Sequence, residues 1–166
     1  DVSWSRGLGD VYKRQYNDPQ IIAGQGTLAI ELLDQLPRLD VVYVSIGGGG
    51  LISGIGCVLK AFSPRTRVVG VSAKNSAELA ASIRAGKMVK VDHYETLADG
   101  CAGGVDNDTI TLGLGSEVID DLIDCSEGQI EVGLQQIAWN EKMLVEGSAG
   151  LALSLIHISE PTRPTD

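Results

Sequence analysis

The sequence predicts an α/β fold, a parallel sheet with flanking helices. Three observations lead there. Two short runs, Asp40–Ile46 and Arg67–Ala73, are nearly continuous in apolar and β-branched residues, the pattern of strands buried on both faces. Stretches with helical spacing of apolar residues separate the strands. Four consecutive glycines, Gly47–Gly50, follow the first strand and open the next helix.

The elements follow in order. "GQGTLAIELLDQL" reads as a helix with Thr27 as N-cap and Leu28, Ile30, Leu32, Leu33 and Leu36 as its apolar residues. Pro37 ends it. After the first strand and the glycines, "LISGIGCVLKAF" reads as a helix stopped at Ser63–Pro64. The second strand leads to "SAELAASIRAG", a short helix with Ser76 as N-cap and Gly86 just past its end. "KMVKVDHYETLADGCAGGVDND" is irregular, and its glycines and acids suit a loop near a ligand or subunit contact. "TITLGLGSEVI" reads as helical and "DLIDCS" as a strand. Ser126 and Gln129 form a capping box for the helix "EGQIEVGLQQIAWNEKML", with Ile130, Leu134, Ile137 and Ala138 on one face. "VEGSAGLA" is a turn opening a last helix.

Composition bounds the function. At 166 residues, one domain is the expectation, and 43% hydrophobic residues suffice for a core. Aromatics make up 4%, so that core must be aliphatic. A net charge of −9 argues against a nucleic-acid partner. Cys57, Cys101 and Cys125 are scattered and odd in number, which suits neither a zinc site nor a disulfide framework. No apolar run reaches the ~18 residues of a membrane span, and no signal-peptide pattern opens the chain. A cytoplasmic protein with no membrane partner is expected.

The two ends read differently. A DNA stretch that encodes Ser5–Gln15 has a reverse complement that encodes Leu153–Arg163. One element read on opposite strands thus accounts for both, and it resembles a transposase-type sequencing adapter. Residues 1–15 and 153–166 are therefore expected to be non-native segments flanking a partial domain at 16–152.

A glycine-rich turn between a buried strand and a helix is suited to anions. The helix N-terminus offers unpaired N–H groups and a partial positive charge. Without Cβ atoms, several N–H groups can converge on a ligand. Gly47, Gly48, Gly49, Gly50 and Leu51 are the candidate phosphate cup. The dinucleotide fingerprint fails, because Ile52 and Ser53 stand where a third glycine is needed. A P-loop fails too, because no lysine follows the glycines. A single phosphate fits better than a nucleoside triphosphate.

Four segments, "AGQGTLAIELL", "VSIGGGGLISGI", "LADGCAGG" and "MLVEGSAGLAL", together resemble the serine/threonine dehydratases. These are fold-type II pyridoxal-phosphate enzymes close to threonine ammonia-lyase and serine racemase. The resemblance covers nearly all of Tyr16–Ala152 and implies part of that family's large domain. It implies that Gly47–Gly50 and Leu51 hold the cofactor phosphate and that Glu146 lies near the cofactor ring. Gln25–Thr27 and Asp99–Gly100 would be supporting loops. Some relatives hold a divalent cation, Mg²⁺ or Ca²⁺, at positions matching Ser72, Ser76 and Glu78; here Ser72 replaces the usual first acid. A first-turn helix acid is the other reading of Glu78.

The implied reaction is elimination of water from L-threonine or L-serine, giving a 2-oxo acid and ammonia, in a parent that is a homo-oligomer. A racemase on the same scaffold, a sulfhydrylase or synthase, and a nucleotide-binding regulatory module are the alternatives. The family's cofactor-anchoring lysine sits in a Ser-x-Lys-x-Arg stretch, and this sequence has none. "SAKN" at Lys74 lacks the arginine and follows a different strand. No catalytic lysine is assigned, and the chain alone is expected to be inactive.

Overall fold

The computed structural model describes residues 16–155. In chain order it places α1 (Pro19–Gln35), β1 (Val41–Ser45), α2 (Gly50–Phe62), β2 (Arg67–Ala73), α3 (Glu78–Ala85), α4 (Ile110–Val118), β3 (Asp121–Cys125), α5 (Glu127–Gln136) and α6 (Gly147–Leu153). The three strands form a parallel sheet in the order β1-β2-β3. The α/β expectation therefore holds.

β2 is central, and six of its seven residues are buried. Successive strand side chains point to opposite faces. Val68 joins one core cluster with Ala29, Val44, Ile52, Leu59 and Leu79. Val71 joins a second with Ala98, Cys125, Ile130 and Leu151. Helices thus cover both faces. Gly70 leaves room between the strands' neighbours: a Cβ there would lie 2.9 Å from Leu122 Cδ2. β1 has only β2 beside it among the described residues, and Val41, Val42 and Tyr43 are half-buried rather than buried. Burial on both faces, expected for both strands, applies to β2 alone.

The first helix departs from expectation. It begins at Pro19, with Asp18 as N-cap accepting from Gln20 N at 2.8 Å. Asp followed by Pro is the stronger start signal, since proline lacks the N–H that a first turn leaves unpaired. Thr27 is not a cap; its hydroxyl donates to Gly24 O within the helix. The buried face is Ile22, Gly26 and Ala29, with Leu33 packed beside them. Leu28 and Ile30 are exposed. Small residues win because α1 meets α2 backbone to backbone. A Cβ on Gly54 would press on Ile22 O and lie 2.8 Å from Gly26 N.

Three more boundaries shift. Ser76 closes a 3₁₀ turn, Lys74–Ser76, and α3 starts at Glu78 without a side-chain cap. The Ser126–Gln129 capping box is present, but the α-helix stops at Gln136 and continues as a π-turn, Ile137–Glu141. Lys142 ends it in the left-handed region, φ 57°. α6 ends at Leu153, where the adapter-like tail was expected to start. Leu155 beyond it packs into the second core cluster, and Ser154 Oγ lies 3.1 Å from Cys125 Sγ. Residues 1–15 and 156–166 lie outside the described residues. No helix among the described residues is long and apolar enough to cross a membrane.

The close approach of α1 and α2 yields a paired prediction. Gly54→Ala should destabilise the protein by about 2–3 kcal/mol, because its Cβ meets backbone that cannot step aside. Gly24→Ala, in the same helix pair but with nothing within 4 Å, should stabilise it by about 0.5–1 kcal/mol. Urea denaturation of the two variants checks both signs.

Candidate functional site

β1 stops at Ser45, and Ile46 N donates to Val71 O at 2.8 Å, which carries the chain out at the carboxyl end of the sheet. The glycines then turn it into α2. Gly49 is the N-cap, at φ 87° and ψ 0°, a left-handed conformation in which a side chain would be strained. The first intrahelical bond runs from Ser53 N to Gly49 O. Gly50, Leu51 and Ile52 therefore have no acceptor for their N–H groups within the helix.

These residues form one wall of a cleft of about 450 Å³. Gln25 of α1, Gly100 and Cys101 of an irregular strap (residues 87–105), and Glu146 and Ser148 at the start of α6 supply much of the rest. The start of α6 is fixed in two ways. Ser45 Oγ donates to Ser148 O at 2.9 Å, and Gly147 lies so close to the strap that a Cβ would run into Leu97 O. Gly100 leaves space for two polar groups, since its Cβ would lie 2.8 Å from Glu146 Oε2 and 2.9 Å from Ser148 Oγ. Burial pushes the Cys101 thiol above its ordinary range. The Ser148 hydroxyl pulls it down, and the nearby carboxylates of Glu146 and Asp99 add to the rise. Cys101 is thus a thiol at neutral pH rather than a ready nucleophile.

The cup fits a phosphate ester. It sits at a helix N-terminus, and among the described residues no lysine or arginine lines the cleft, so backbone N–H groups and the helix dipole would meet the charge. The glycines are there because other backbone and ring atoms are close behind. A Cβ on Gly47 would lie 2.9 Å from Cys101 Cα, and one on Gly48 would enter the Tyr16 ring.

Gly47, Gly48, Gly49, Gly50, Leu51 and Glu146, singled out in the sequence, all line this one cleft. Gln25 lines it too, from within a helix rather than a loop. Sequence reasoning missed Tyr16, Ser45, Cys101 and Ser148. Ser148 stands inside the quoted "VEGSAG" stretch and could have been found there. Tyr16 carries no pattern of its own.

Ser76 and Glu78 lie elsewhere, and the divalent cation expected there is not supported. The Glu78 side chain is 1% exposed, and the protein's own donors occupy it. Lys90 Nζ donates to Oε1 at 2.8 Å, and Val105 N donates to the same oxygen at 3.2 Å. His93 Nε2 lies 2.8 Å from Oε2. An ionised carboxylate only accepts, so Nε2 carries the proton. Ser76 Oγ bonds His93 Nδ1 at 2.8 Å and accepts from Gly103 N at 3.0 Å. Ser72 is buried and offers a hydroxyl in place of a carboxylate. Among the described residues no group of three or more His, Cys, Asp or Glu could hold a metal ion. An internal ammonium thus stands where a cation was expected, and it ties the strap to α3.

Comparison with known proteins gives the family. The model of the pyridoxal-phosphate dependent enzyme family matches residues 5–163. The chain belongs to that family of pyridoxal-phosphate dependent enzymes. It is 34% identical over 148 residues to the L-threonine ammonia-lyase of Thermotoga maritima, covering 89% of this chain and 37% of that protein. It is 36% identical over 148 residues to the catabolic L-threonine dehydratase TdcB of Escherichia coli K12, covering 89% of this chain and 45% of that one. The crystal structure of serine racemase from Dictyostelium discoideum superposes with a TM-score of 0.77 at 29% identity, over 85% of this chain and 44% of the racemase. The chain thus spans less than half the length of these relatives. Family membership sets aside the nucleotide-binding module.

Burial opposes ionisation of Glu78, but bonds from Lys90, His93 and Val105 outweigh it and hold the carboxyl below its ordinary range. A lowered folded-state value stabilises the protein above the unfolded pKa, and that stability is lost as pH falls through the folded value. Lys90 is two-thirds exposed, so water screens part of the pairing. Glu78→Gln should cost about 2 kcal/mol at neutral pH. The gap to wild type should begin to narrow near about pH 4.3, the ordinary glutamate value, and close as pH falls through the lower folded value. Thermal melts of both proteins across that range measure it.

Proposed function

We propose that this chain is the phosphate-holding portion of a pyridoxal-phosphate dependent ammonia-lyase that converts L-threonine or L-serine to a 2-oxo acid and ammonia. The observation that supports this most is the side-chain-free cup of Gly47–Gly50 and Leu51 at the start of α2, facing Glu146 across one cleft. The names of the two curated relatives support the choice of reaction.

When bound, pyridoxal phosphate supplies an electron sink that lets an amino acid lose its Cα proton and its β-hydroxyl. The chain's own residues bind and orient. The cup's N–H groups hold the phosphate end. Glu146 borders the same cleft as a free-standing carboxylate, able to accept a hydrogen bond from a ring substituent or an amine. Gly100 leaves that carboxylate its place.

The described lysines do not converge on this cleft. Lys60 pairs with Asp120 and Lys90 with Glu78, while Lys142 bonds Trp139 O. Neither these nor Lys74 and Lys87 line it. The anchoring lysine of the parent enzyme is therefore assigned to sequence outside the described residues.

Two measurements test the proposal. The 166-residue chain mixed with pyridoxal phosphate and borohydride should show no pyridoxyl-lysine in its peptides; an adduct at Lys74, Lys87 or Lys90 would sink the assignment of the lysine. The full-length gene product should release 2-oxobutanoate from L-threonine or pyruvate from L-serine. Formation of D-serine without 2-oxo acid, read by chiral chromatography, would replace the lyase by a racemase.

A further inference from the structure

We propose that Thr111 is a positioning residue for the glycine cup. Its hydroxyl holds the Gly48 carbonyl from behind and so turns the Gly49 N–H into the cleft, toward the phosphate of a bound ester. This rests on the reading of the cup as a phosphate site and assigns a task to a residue outside it.

Thr111 lies near the start of α4, far from the glycines in sequence, and is fully buried. It does not line the cleft. Its Oγ1 donates to Gly48 O at 2.7 Å. The described chain has no cis peptide bonds, and in a trans peptide the C=O and N–H point in opposite directions. A carbonyl drawn back to Thr111 therefore sends the N–H of Gly49 the other way, to the side where Gly47–Gly50 face the cleft.

That orientation needs an anchor. A Gly–Gly peptide has few steric reasons to prefer one face. Flipped, it would present a carbonyl oxygen to a phosphate, turning an attractive dipole into a repulsive one. The anchor is itself braced. Thr111 spends its only hydroxyl hydrogen on Gly48 O, so Thr109 donates in the 2.7 Å contact between the two threonine hydroxyls. Asn17 Oδ1 accepts from Ile110 N at 2.8 Å, which fixes the same turn to the start of α1. A Cβ on Gly49 would stand 3.0 Å from Thr111 Cβ, so the same side chain leaves little room for anything larger than glycine there.

Thr111→Val keeps the shape and removes the donor; Thr111→Ser keeps the donor. Affinities of the full chain for pyridoxal 5′-phosphate and for pyridoxal, which lacks the phosphate, separate the roles. The valine variant should lose about tenfold or more in affinity for the phosphate ester and leave pyridoxal unchanged, and the serine variant should stay within about threefold of wild type. Equal loss for both ligands would mean a purely structural role and overturn the inference. So would an undiminished preference for the ester in the valine variant, even though wild type shows that preference. A wild-type chain with no preference for the ester would overturn the phosphate reading itself, and this inference with it. A second measurement needs no variant. On titration of the unaltered chain with inorganic phosphate, the Gly49 amide proton should move downfield in ¹H–¹⁵N spectra. Shifts at Gly47 or Leu51 with Gly49 unmoved would overturn the assignment.

Discussion

Four successive Cβ atoms are missing where β1 turns into α2, and several distant parts of the chain close over the space this leaves. The strap reaches Gly47 through Cys101. Tyr16 lies over Gly48 and Gly50. Leu79 of α3 and Thr111 of α4 press on Gly49. The loop is floppy by composition and rigid by surroundings, because each segment that touches it is itself held. Tyr16 accepts a hydrogen bond from Asp106 N at 3.1 Å, and the strap is tied to α3 through Glu78. The entropy lost in ordering four glycines is met by packing drawn from most of the domain. The cleft is therefore a property of the whole fold rather than of one motif.

The strap shows how a buried charge can organise an irregular segment. Residues 87–105 have almost no regular structure, yet they place Gly100 and Cys101 against the cup. Glu78 collects three donors from that stretch, and Ser76 collects Gly103 N and His93 beside it. Lys90 brings its own positive charge to a carboxylate that would otherwise be costly to bury. Glu78 and Ser76 thus take their partners from within the chain, and Ser72 adds no charge beside them.

Much of the architecture was legible because it rests on periodicity. β2 and β3, the capping box at Ser126 and the glycine stop at Gly86 are local signals, and they appear where the sequence puts them. The candidate cup was legible for the same reason, as four adjacent glycines between a strand and a helix. What escaped depends on long-range contacts. Gly26 looks like a helix breaker until Gly54 is placed opposite it. Ser76 resembles a cap until His93 and Gly103 claim its hydroxyl. Tyr16 and Thr111 carry no motif, and only the folded chain brings them to the loop. Of the two readings of Glu78, the first-turn helix acid is the one the structure shows, and the lysine and histidine that occupy it lie 12 and 15 residues further along.

A binding surface made of backbone also changes how it can be damaged by mutation. Most sites fail when a codon change removes a functional group. No residue is smaller than glycine, so every missense change in the four glycine codons adds atoms, and none can be a loss in the ordinary sense. Alanine scanning, the usual way of finding important side chains, tests something else here, because each alanine is an insertion. The genetic signature of such a cup is intolerance to gain, carried by the first two positions of the four consecutive codons for Gly47, Gly48, Gly49 and Gly50, since every third-position change in a glycine codon is silent.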